Sequence, residues 1–335
     1  MDIIYIKEIN GQKEMGFLNN YIADFQIGIE NDFEIEMPLP DNPDKLLFKE
    51  NKIKTTIYIE GTEWGGEITG AKIQTGDNTI TYTGRTWRGM LEQFIIEPPY
   101  GHDYLVVSGT LSNIVRALPM MPDCVVQPCS YHVSNFQFDR YIKTAQGIQD
   151  LLNTHSDLQL EIRYEVLENT YQGQIILLIK PKKNLTQLIE FSQDYDNKIN
   201  LTITQDGNTP RRLICLGEGE LKNRKVINLY ADENWNIVKV GPRNTFPVET
   251  YEYSSSNSLI VDGVKHFREL IANHQQIEIT IEDSSLNLGD IISAKDILTE
   301  TYIQAEISGI ILKKTKNTST DEETIEYQTK VRSRI

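Results

Sequence analysis

Residues 80–99, ITYTGRTWRGMLEQFIIEPP, change their hydrophobic period in the middle. The first part alternates apolar or small side chains with polar ones, which is typical of a β-strand. Four apolar residues then fall on one face of a helix predicted over 86–94, namely Trp87, Met90, Leu91 and Phe94. Two prolines end the helix, and Arg85 and Arg88 flank the tryptophan. The stretch therefore predicts a strand that runs directly into a short helix with a large apolar face.

The rest of the first hundred residues is typical of antiparallel β-structure. Five segments show strand-like patterns, at 2–6, 22–29, 53–60, 66–75 and 78–84. The GDN sequence at 76–78 predicts a hairpin turn between the last two of them. The MPLPDNPDK sequence at 37–45 predicts a loop, because proline removes hydrogen-bond donors from a β ladder.

The pattern changes after the prolines at 98 and 99. Helical spacing of apolar residues appears at 111–118 and again at 143–155, and two strand-like segments follow. This part predicts a small α+β unit. Strand patterns return after it and continue to the end of the chain, interrupted by a Ser-rich joint at 254–258 and one short helix over 264–274. The predicted fold class is mainly β with α+β insertions.

Composition limits the classes of function. The chain has 335 residues, of which 39% are hydrophobic, so it can bury several cores. Its net charge of −15 argues against general nucleic-acid binding, although an acidic surface lets DNA pass without adhering. The longest purely aliphatic run, at 175–179, is far too short to span a membrane, and the N-terminus does not resemble a signal peptide. We therefore expect synthesis in a cytoplasm, without a membrane anchor.

Catalytic and metal-binding motifs are not apparent in the sequence. The five histidines do not occur in a metal-binding spacing, and Cys124, Cys129 and His132 are spaced too loosely for a typical zinc site. The three cysteines do not suggest a disulfide framework. The GEGEL sequence at 217–221 lacks the phosphate-loop pattern and predicts a β-bulge or tight turn. We therefore predict no enzyme activity, no cofactor and no metal.

Three blocks of sequence, in order along the chain, carry a resemblance to a known family. The first is YTGRTWRGMLEQFIIEPP at 82–99 followed by YLVVSGTLSNIVRAL at 104–118. The second is RRLICLGEGELKNRKVINLYADENWNI at 211–237, and the third is LNLGDIISAKDILTETYIQAEISGIILK at 286–313. Together they resemble the tail proteins of siphophages and prophages in the ReqiPepy6-type family.

The resemblance implies a tail hub, the ring at the tip or baseplate of a phage tail. Hubs of this kind are homotrimers in which each subunit supplies two similar antiparallel β-barrel domains, so that three subunits match the six-fold tail tube. Such a ring joins the tube and distal tail proteins to tip or receptor-binding proteins, and DNA passes through it. The implied location is the virion, after synthesis in the bacterial host cytoplasm.

The implied domain organisation has four parts. The N-terminal barrel spans 1–103 and is completed by part of 184–250. Residues 104–183 form an α+β insertion, and 184–253 form a β domain. Residues 254–335 form a C-terminal β domain that contains one short helix, and this domain is part of a second barrel.

Within this interpretation the helix at 86–94 plugs one end of the first barrel. Its apolar residues cover the barrel core, and burial contributes roughly 1.5–3 kcal/mol for each side chain. Arg85 and Arg88 point outward, towards carboxylates of a neighbouring subunit. The alternative is that both arginines form ion pairs within the chain, where exposed pairs contribute little. The six predicted barrel-plug or subunit-contact residues are Arg85, Trp87, Arg88, Met90, Leu91 and Phe94.

Two other functions stay open at the level of sequence, a tail-associated cell-wall hydrolase and a receptor- or glycan-binding tail-tip protein. A hydrolase needs a catalytic constellation or an appended module, and the 335 residues suggest neither. A glycan-binding site needs exposed aromatic residues, and Trp64 and Trp235 are the candidates. We therefore expect wall digestion and receptor binding to be contributed by partner proteins.

Overall fold

A computed structural model gives the fold of most of the chain. It describes residues 2–155, 157–167, 172–186, 190–191, 200–253, 258–271, 275–280, 286–296, 301–318, 320 and 322–333. The chain divides into two compact units. The first unit comprises Met1–Leu185, Ile281–Ile291 and Ile307–Thr329, and the second comprises Thr186–Thr280, Ile292–Glu306 and Lys330–Ile335.

Strands dominate both units, so the prediction of a mainly β chain is confirmed. The strands up to residue 181 are β1 (Ile4–Ile9), β2 (Gln12–Phe17), β3 (Tyr21–Ile27), β4 (Asp32–Pro38), β5 (Ile53–Tyr58), β6 (Gly65–Gln74), β7 (Thr79–Thr86), β8 (Ile95–Ile96), β9 (Val106–Thr110), β10 (Cys124–Val126), β11 (His132–Gln137), β12 (Ile142–Lys143), β13 (Leu158–Leu167) and β14 (Gln172–Pro181). The helices in this part are α1 (Trp87–Leu91), α2 (Leu111–Ala117) and α3 (Thr144–Leu152).

The remaining elements complete the chain. The strands are β15 (Glu190–Phe191), β16 (Asn200–Gln205), β17 (Arg212–Leu216), β18 (Val226–Ala231), β19 (Ile237–Val238), β20 (Val248–Glu252), β21 (Gln275–Thr280), β22 (Ile291–Asp296), β23 (Thr301–Asn317) and β24 (Glu322–Ser333). The helix is α4 (Leu259–Ile271), which begins five residues before the position predicted from its apolar spacing. Residues 254–257 of the predicted Ser-rich joint lie outside the described residues.

The first unit is built on a large sheet in the order β2-β1-β5-β6-β7-β4-β3-β23-β24. The predicted hairpin is present, because β6 and β7 pair in antiparallel orientation on either side of the turn at 76–78. It stays a prediction that part of 184–250 completes an N-terminal barrel. The strand observed beside β3 is β23, with Ile310 opposite Ile27.

One face of this sheet is apolar and buried. Phe25 and Phe33 lie at the centre with ring centroids 5.4 Å apart, next to the buried Ile35 and Tyr82. Alternation along each strand sends the neighbouring polar residues to the opposite face. The sequence did not predict β2, whose residues are almost all exposed and show no apolar alternation. It also missed β4, whose last residues fall in the loop predicted at 37–45.

The α+β insertion belongs to the first unit. β13 and β14 form a long antiparallel hairpin, and β10 adds to it in parallel orientation. Two shorter antiparallel pairs, β9 with β11 and β8 with β12, lie in the same part of the chain. α2 and α3 contribute buried apolar residues to a core with the hairpin, and these include Leu111, Val115, Ile148, Leu151, Leu160, Ile162 and Leu177.

The second unit contains a four-stranded sheet in the order β19-β18-β17-β20. α4 covers one face of it, with Phe267 and Leu259 packed against Leu213 and Cys215. In the same unit β16 pairs with β21, and β15 pairs with β22. In the part of the chain that the structure describes, no sheet closes into a barrel. No helix among the described residues is both long enough and apolar enough to cross a membrane.

Candidate functional site

The apolar face of α1 packs into the core of the insertion. Trp87 and Leu91 are buried, and Met90 and Phe94 pack against the same core from its edge. The Trp87 ring stacks on the Tyr164 ring, with centroids 4.6 Å apart and an interplanar angle of 9°. The helix has five residues and ends at Leu91, three residues before the end predicted at residue 94. These contacts place α1 between the large sheet and the β13–β14 hairpin, and the barrel-plug role of its residues stays a prediction.

Arg88 turns inward and forms an ion pair within the chain, as the second of the two interpretations predicted, and a contact of either arginine with another subunit stays a prediction. Its guanidinium forms a two-point ion pair with Glu63, in which the Nη2–Oε2 distance is 3.1 Å. Nη2 also donates to the carbonyl oxygen of Leu160 on β13, at 2.6 Å. The two charged side chains are only 14% and 12% exposed. Burial raises the pKa of the Glu63 carboxyl, and the charge of Arg88 opposes that rise.

The turn between β3 and β4 holds the start of α1 through Asn31. The carbonyl oxygen of Asn31 accepts hydrogen bonds from the backbone nitrogen of Thr86 at 3.0 Å and from its Oγ1 at 2.9 Å. The Asn31 side chain accepts a bond from the nitrogen of Gly28 and donates to Glu92 Oε1, both at 2.7 Å. Asn31 has a φ of 56°, a region that Asn tolerates better than most residues. This turn therefore fixes the position at which β7 becomes α1.

Gly89→Ala is expected to destabilise the first unit, although alanine is the better helix former by about 1 kcal/mol. A methyl group at Gly89 would lie 2.1 Å from the Asn31 carbonyl oxygen. That oxygen is held by two hydrogen bonds, so relieving the clash costs about 1–3 kcal/mol and outweighs the gain in propensity. Urea denaturation followed by circular dichroism measures the change. Gly76→Ala is the control, because a methyl group there meets no atom within 4 Å. Equal stability of the two variants would contradict the clash.

Arg85 lies on the face of the sheet opposite the buried core. It stands between Asp32 on β4 and Glu67 on β6 in the cross-strand register. The next residues of β4 on this face are Glu34 and Glu36, and both are exposed. Asp24 on β3 stands opposite Glu34. We call this surface the acidic face, and its carboxylates are Asp24, Asp32, Glu34, Glu36 and Glu67.

The electrostatics of the acidic face follow from the crowding of like charges. The pKa of Asp32 is raised, first by burial and then by the negative charges of Glu30, Glu34 and Asp24. Four cations share the face in the cross-strand register, Arg85, Lys72, Lys313 and Lys54. Lys54 lies two residues before Thr56 on β5, and Thr56 stands opposite Glu67. The five carboxylates of the acidic face outnumber them, so this face repels phosphate groups. The sequence contained a signal for part of it, since DFEIEM at 32–37 places acids at every second position.

The other candidate residues occupy different places. Trp64 is 8% exposed, between the rings of Phe25 and Tyr327. The guanidinium of Arg211 covers the Trp235 ring at 4.2 Å. Burial raises the pKa of the Cys124 thiol to about 12, which disfavours the thiolate that metals require. Among the described residues, no three or more His, Cys, Asp or Glu side chains are grouped so as to hold a metal ion.

The glycine-rich sequence at 217–221 forms part of the turn between β17 and β18. The nitrogen of Gly217 donates to the carbonyl oxygen of Lys225 at 2.8 Å, and Gly219 has a φ of 99°. The next residues, Leu221–Asn223, form one 3₁₀ turn. A glycine at 219 suits this geometry, because positive φ is unfavourable for residues that carry a Cβ.

Comparisons with known proteins establish the fold of this chain. No protein-family model matches the sequence, and none of the curated proteins matches it. Among solved structures, the 43 kDa tail protein of prophage MuSo2 from Shewanella oneidensis is similar, with a TM-score of 0.58, 12% identity, and coverage of 100% of this chain and 98% of that one. A tail protein from Neisseria meningitidis MC58 has a TM-score of 0.55 and 10% identity, with 99% and 97% of the two chains covered.

The prophage tail protein gp18 from Listeria monocytogenes EGD-e is also similar, with a TM-score of 0.53, 10% identity, and coverage of 99% and 94%. At such low identity a structural likeness establishes the fold and leaves the function to be argued separately. The chain has the fold of these phage and prophage tail proteins over nearly its whole length.

Proposed function

We propose that the protein is a structural component of a phage or prophage-derived tail, without enzyme activity. The observation that carries the proposal is the likeness to three tail proteins over at least 99% of this chain and at least 94% of each of theirs. A shared module inside a larger protein would match only part of those chains. Instead, the whole architecture corresponds, which favours a shared structural role.

In the finer form of the proposal, three copies form a hub ring at the tail tip or baseplate. Each copy contributes two similar β domains, one near the N-terminus and one that includes the C-terminal strands, in line with the four-part division at 103, 183 and 253. The ring joins the tail tube and distal tail proteins to tip or receptor-binding proteins, as in ReqiPepy6-type tail proteins. The location is then the virion, after synthesis in the host cytoplasm.

The acidic face is the surface that suits the lumen of such a ring. DNA carries a dense negative charge, so a wall of carboxylates prevents adhesion while DNA moves past it. The threonines of β7 at 79, 81 and 83 lie on the same face and add polar groups without positive charge. A face lined by lysine and arginine would instead hold the phosphates.

The experiment that tests the tail role is cryo-electron microscopy of particles from the producing bacterium with a tagged copy of this chain. The expected result is density for three copies at the distal end of the tail, in which two β domains of each copy superimpose after a rotation of about 60°. Copies placed along the tube would overturn the hub assignment. Absence of the protein from particles would overturn the tail role itself.

Charge reversal on the acidic face separates the lumen proposal from the assembly proposal. Glu34→Lys/Glu36→Lys is expected to leave particle assembly intact and to lower DNA ejection at least tenfold, because both side chains are exposed and the new lysines attract phosphate. Ejection is measured by release of packaged DNA. The control is Glu218→Lys/Glu220→Lys, an equal change of charge at two exposed positions of the turn before residue 221. Wild-type ejection from the first variant would overturn the lumen proposal.

The described residues give no observation in favour of the alternative functions. A glycan-binding site would need a broad exposed aromatic face, whereas Trp64 is only 8% exposed and the Trp235 ring is covered by Arg211. A wall hydrolase would need an acid and a base that converge on an open site. Wall digestion and receptor binding are therefore assigned to partner proteins of the tail.

A further inference from the structure

A cleft of about 450 Å³ in the first unit has a strongly charged wall. The wall is the outer face of the β13–β14 hairpin, where Gln159, Glu161 and Arg163 alternate with residues buried in the insertion core. Lys180 stands opposite Gln159 on the same face, and Lys183 follows the end of β14. The volume lies within the range of roughly 300–1,000 Å³ that is usual for ligand sites.

Apolar side chains also line the cleft, and we call them the apolar wall. They are Trp64 and Tyr327, whose ring centroids are 6.3 Å apart, together with Leu286, Leu288 and Ile310. Arg88 and Glu63 line the cleft as well, and their ion pair leaves no net charge there. The cleft therefore combines charged and apolar lining residues, which is a combination suited to a side chain or a peptide.

The charged wall carries more positive than negative groups. Glu161 is the carboxylate on this wall, and its two oxygens are shared between Arg163, with an Nε–Oε1 distance of 2.5 Å, and Lys180. Lys183 has no carboxylate within ion-pair distance among the described residues. Asp290 is fully buried, its Oδ1 accepts bonds from Gln159 Nε2 and from the backbone nitrogen of Lys183, and its negative charge acts on Lys180. The cations Arg163, Lys180 and Lys183 still outnumber the carboxylates of Glu161 and Asp290. An uncompensated positive charge remains in a chain whose net charge is −15.

We propose that this cleft binds an acidic peptide segment of a partner protein. A carboxylate of the segment accepts hydrogen bonds from the ammonium groups of Lys180 and Lys183 and from the free nitrogens of Arg163. The aliphatic part of the segment lies against the apolar wall. This inference is independent of the tail role, because it rests on the cleft alone.

Two further observations favour this occupant. The pKa of Lys180 is lowered, first by burial and then by the positive charge of Lys183, and a bound carboxylate would relieve that repulsion. Nucleic acid is the other class of polyanion that a cationic cleft attracts. The chain as a whole is strongly acidic and repels a long phosphate backbone, whereas a short peptide segment needs to approach only this cleft.

Fluorescence of Trp64 in the full-length protein tests the proposal, with capped hexaglutamate as the probe and hexaglutamine as its neutral analogue. The expected result is a saturable change with hexaglutamate that weakens as salt is raised, is absent with hexaglutamine, and disappears in Trp64→Phe. Lys183→Glu is expected to weaken binding at least about fivefold, because it replaces an attraction by a repulsion at an exposed position. Lys72→Glu, an equal charge change on β6 outside the cleft, is expected to bind as the wild type does.

The outcomes that overturn the proposal are distinct. No saturable change with hexaglutamate, or equal weakening in Lys72→Glu and Lys183→Glu, would rule out binding in the cleft. Hexathymidylate that binds as tightly as hexaglutamate would assign the cleft to single-stranded nucleic acid. Inorganic phosphate that binds as tightly as the peptide would reduce the cleft to a site for single anions.

Discussion

Trp87→Ala is expected to lower the free energy of unfolding of the first unit by about 3–5 kcal/mol, the usual cost of removing a large aromatic side chain from a core. The indole is 2% exposed and stacks on Tyr164, and the ring centroid of Tyr58 lies 4.7 Å from that of Tyr164. Its loss leaves a cavity between the large sheet and the insertion, which cannot collapse without moving the β13–β14 hairpin. Urea denaturation followed by far-ultraviolet circular dichroism gives the change in stability.

Two variants show whether this loss comes from packing. Trp87→Phe is expected to cost much less, because it keeps a ring in the stack and removes an indole N–H that has no hydrogen-bond partner among the described residues. Tyr100→Ala removes an aromatic ring that is fully exposed and is expected to change stability by less than about 0.5 kcal/mol. A small effect of Trp87→Ala, similar to that of Tyr100→Ala, would contradict a structural role for the α1 contact.

The local features of α1 could be predicted from sequence because they depend on neighbours along the chain. The spacing of Trp87, Met90, Leu91 and Phe94 identified the buried side of the helix, and the prolines after it limited its length. The partners of that side could not be predicted in the same way. Tyr164 lies 77 positions away along the chain, and no periodic pattern relates it to Trp87.

The same limit applies to the charged groups. Alternation along β7 places Arg85 on one side of the strand, but the row of acids beside it depends on β4, which the sequence did not predict. For Arg88 the sequence left two interpretations open, a contact with a neighbouring subunit and an ion pair within the chain, and the ion pair within the chain is observed. Its partner Glu63 comes from the turn before β6, and the second acceptor is the carbonyl oxygen of Leu160. Such pairs depend on tertiary structure, and a single sequence contains no direct signal for them.

Arg88→Met is expected to lower the free energy of unfolding by about 3–5 kcal/mol at neutral pH, because it leaves the Glu63 carboxylate buried without a cation. The loss should depend on pH. The pKa of Glu63 in the folded protein already lies above its ordinary value, and removing Arg88 raises it further. A carboxyl whose pKa is raised by folding favours the folded state below its unfolded pKa, and this stabilisation is lost as pH rises through the folded pKa. The deficit of the variant against the wild type is therefore smallest in mild acid and largest at neutral pH.

The double variant Glu63→Gln/Arg88→Met separates the effect of the buried Glu63 charge from the effect of losing the packing of Arg88. The amide keeps the shape of the glutamate side chain and carries no charge, so the difference between this double variant and the wild type should vary much less with pH than that of Arg88→Met. Arg85→Gln removes an arginine from the exposed face and is expected to cost less than about 1 kcal/mol. Denaturant titrations between pH 5 and pH 8 measure all three differences. A deficit of Arg88→Met that stays constant over this range would show that the buried charge of Glu63 does not cause the loss, and that the lost hydrogen bond to Leu160 and the lost packing account for it.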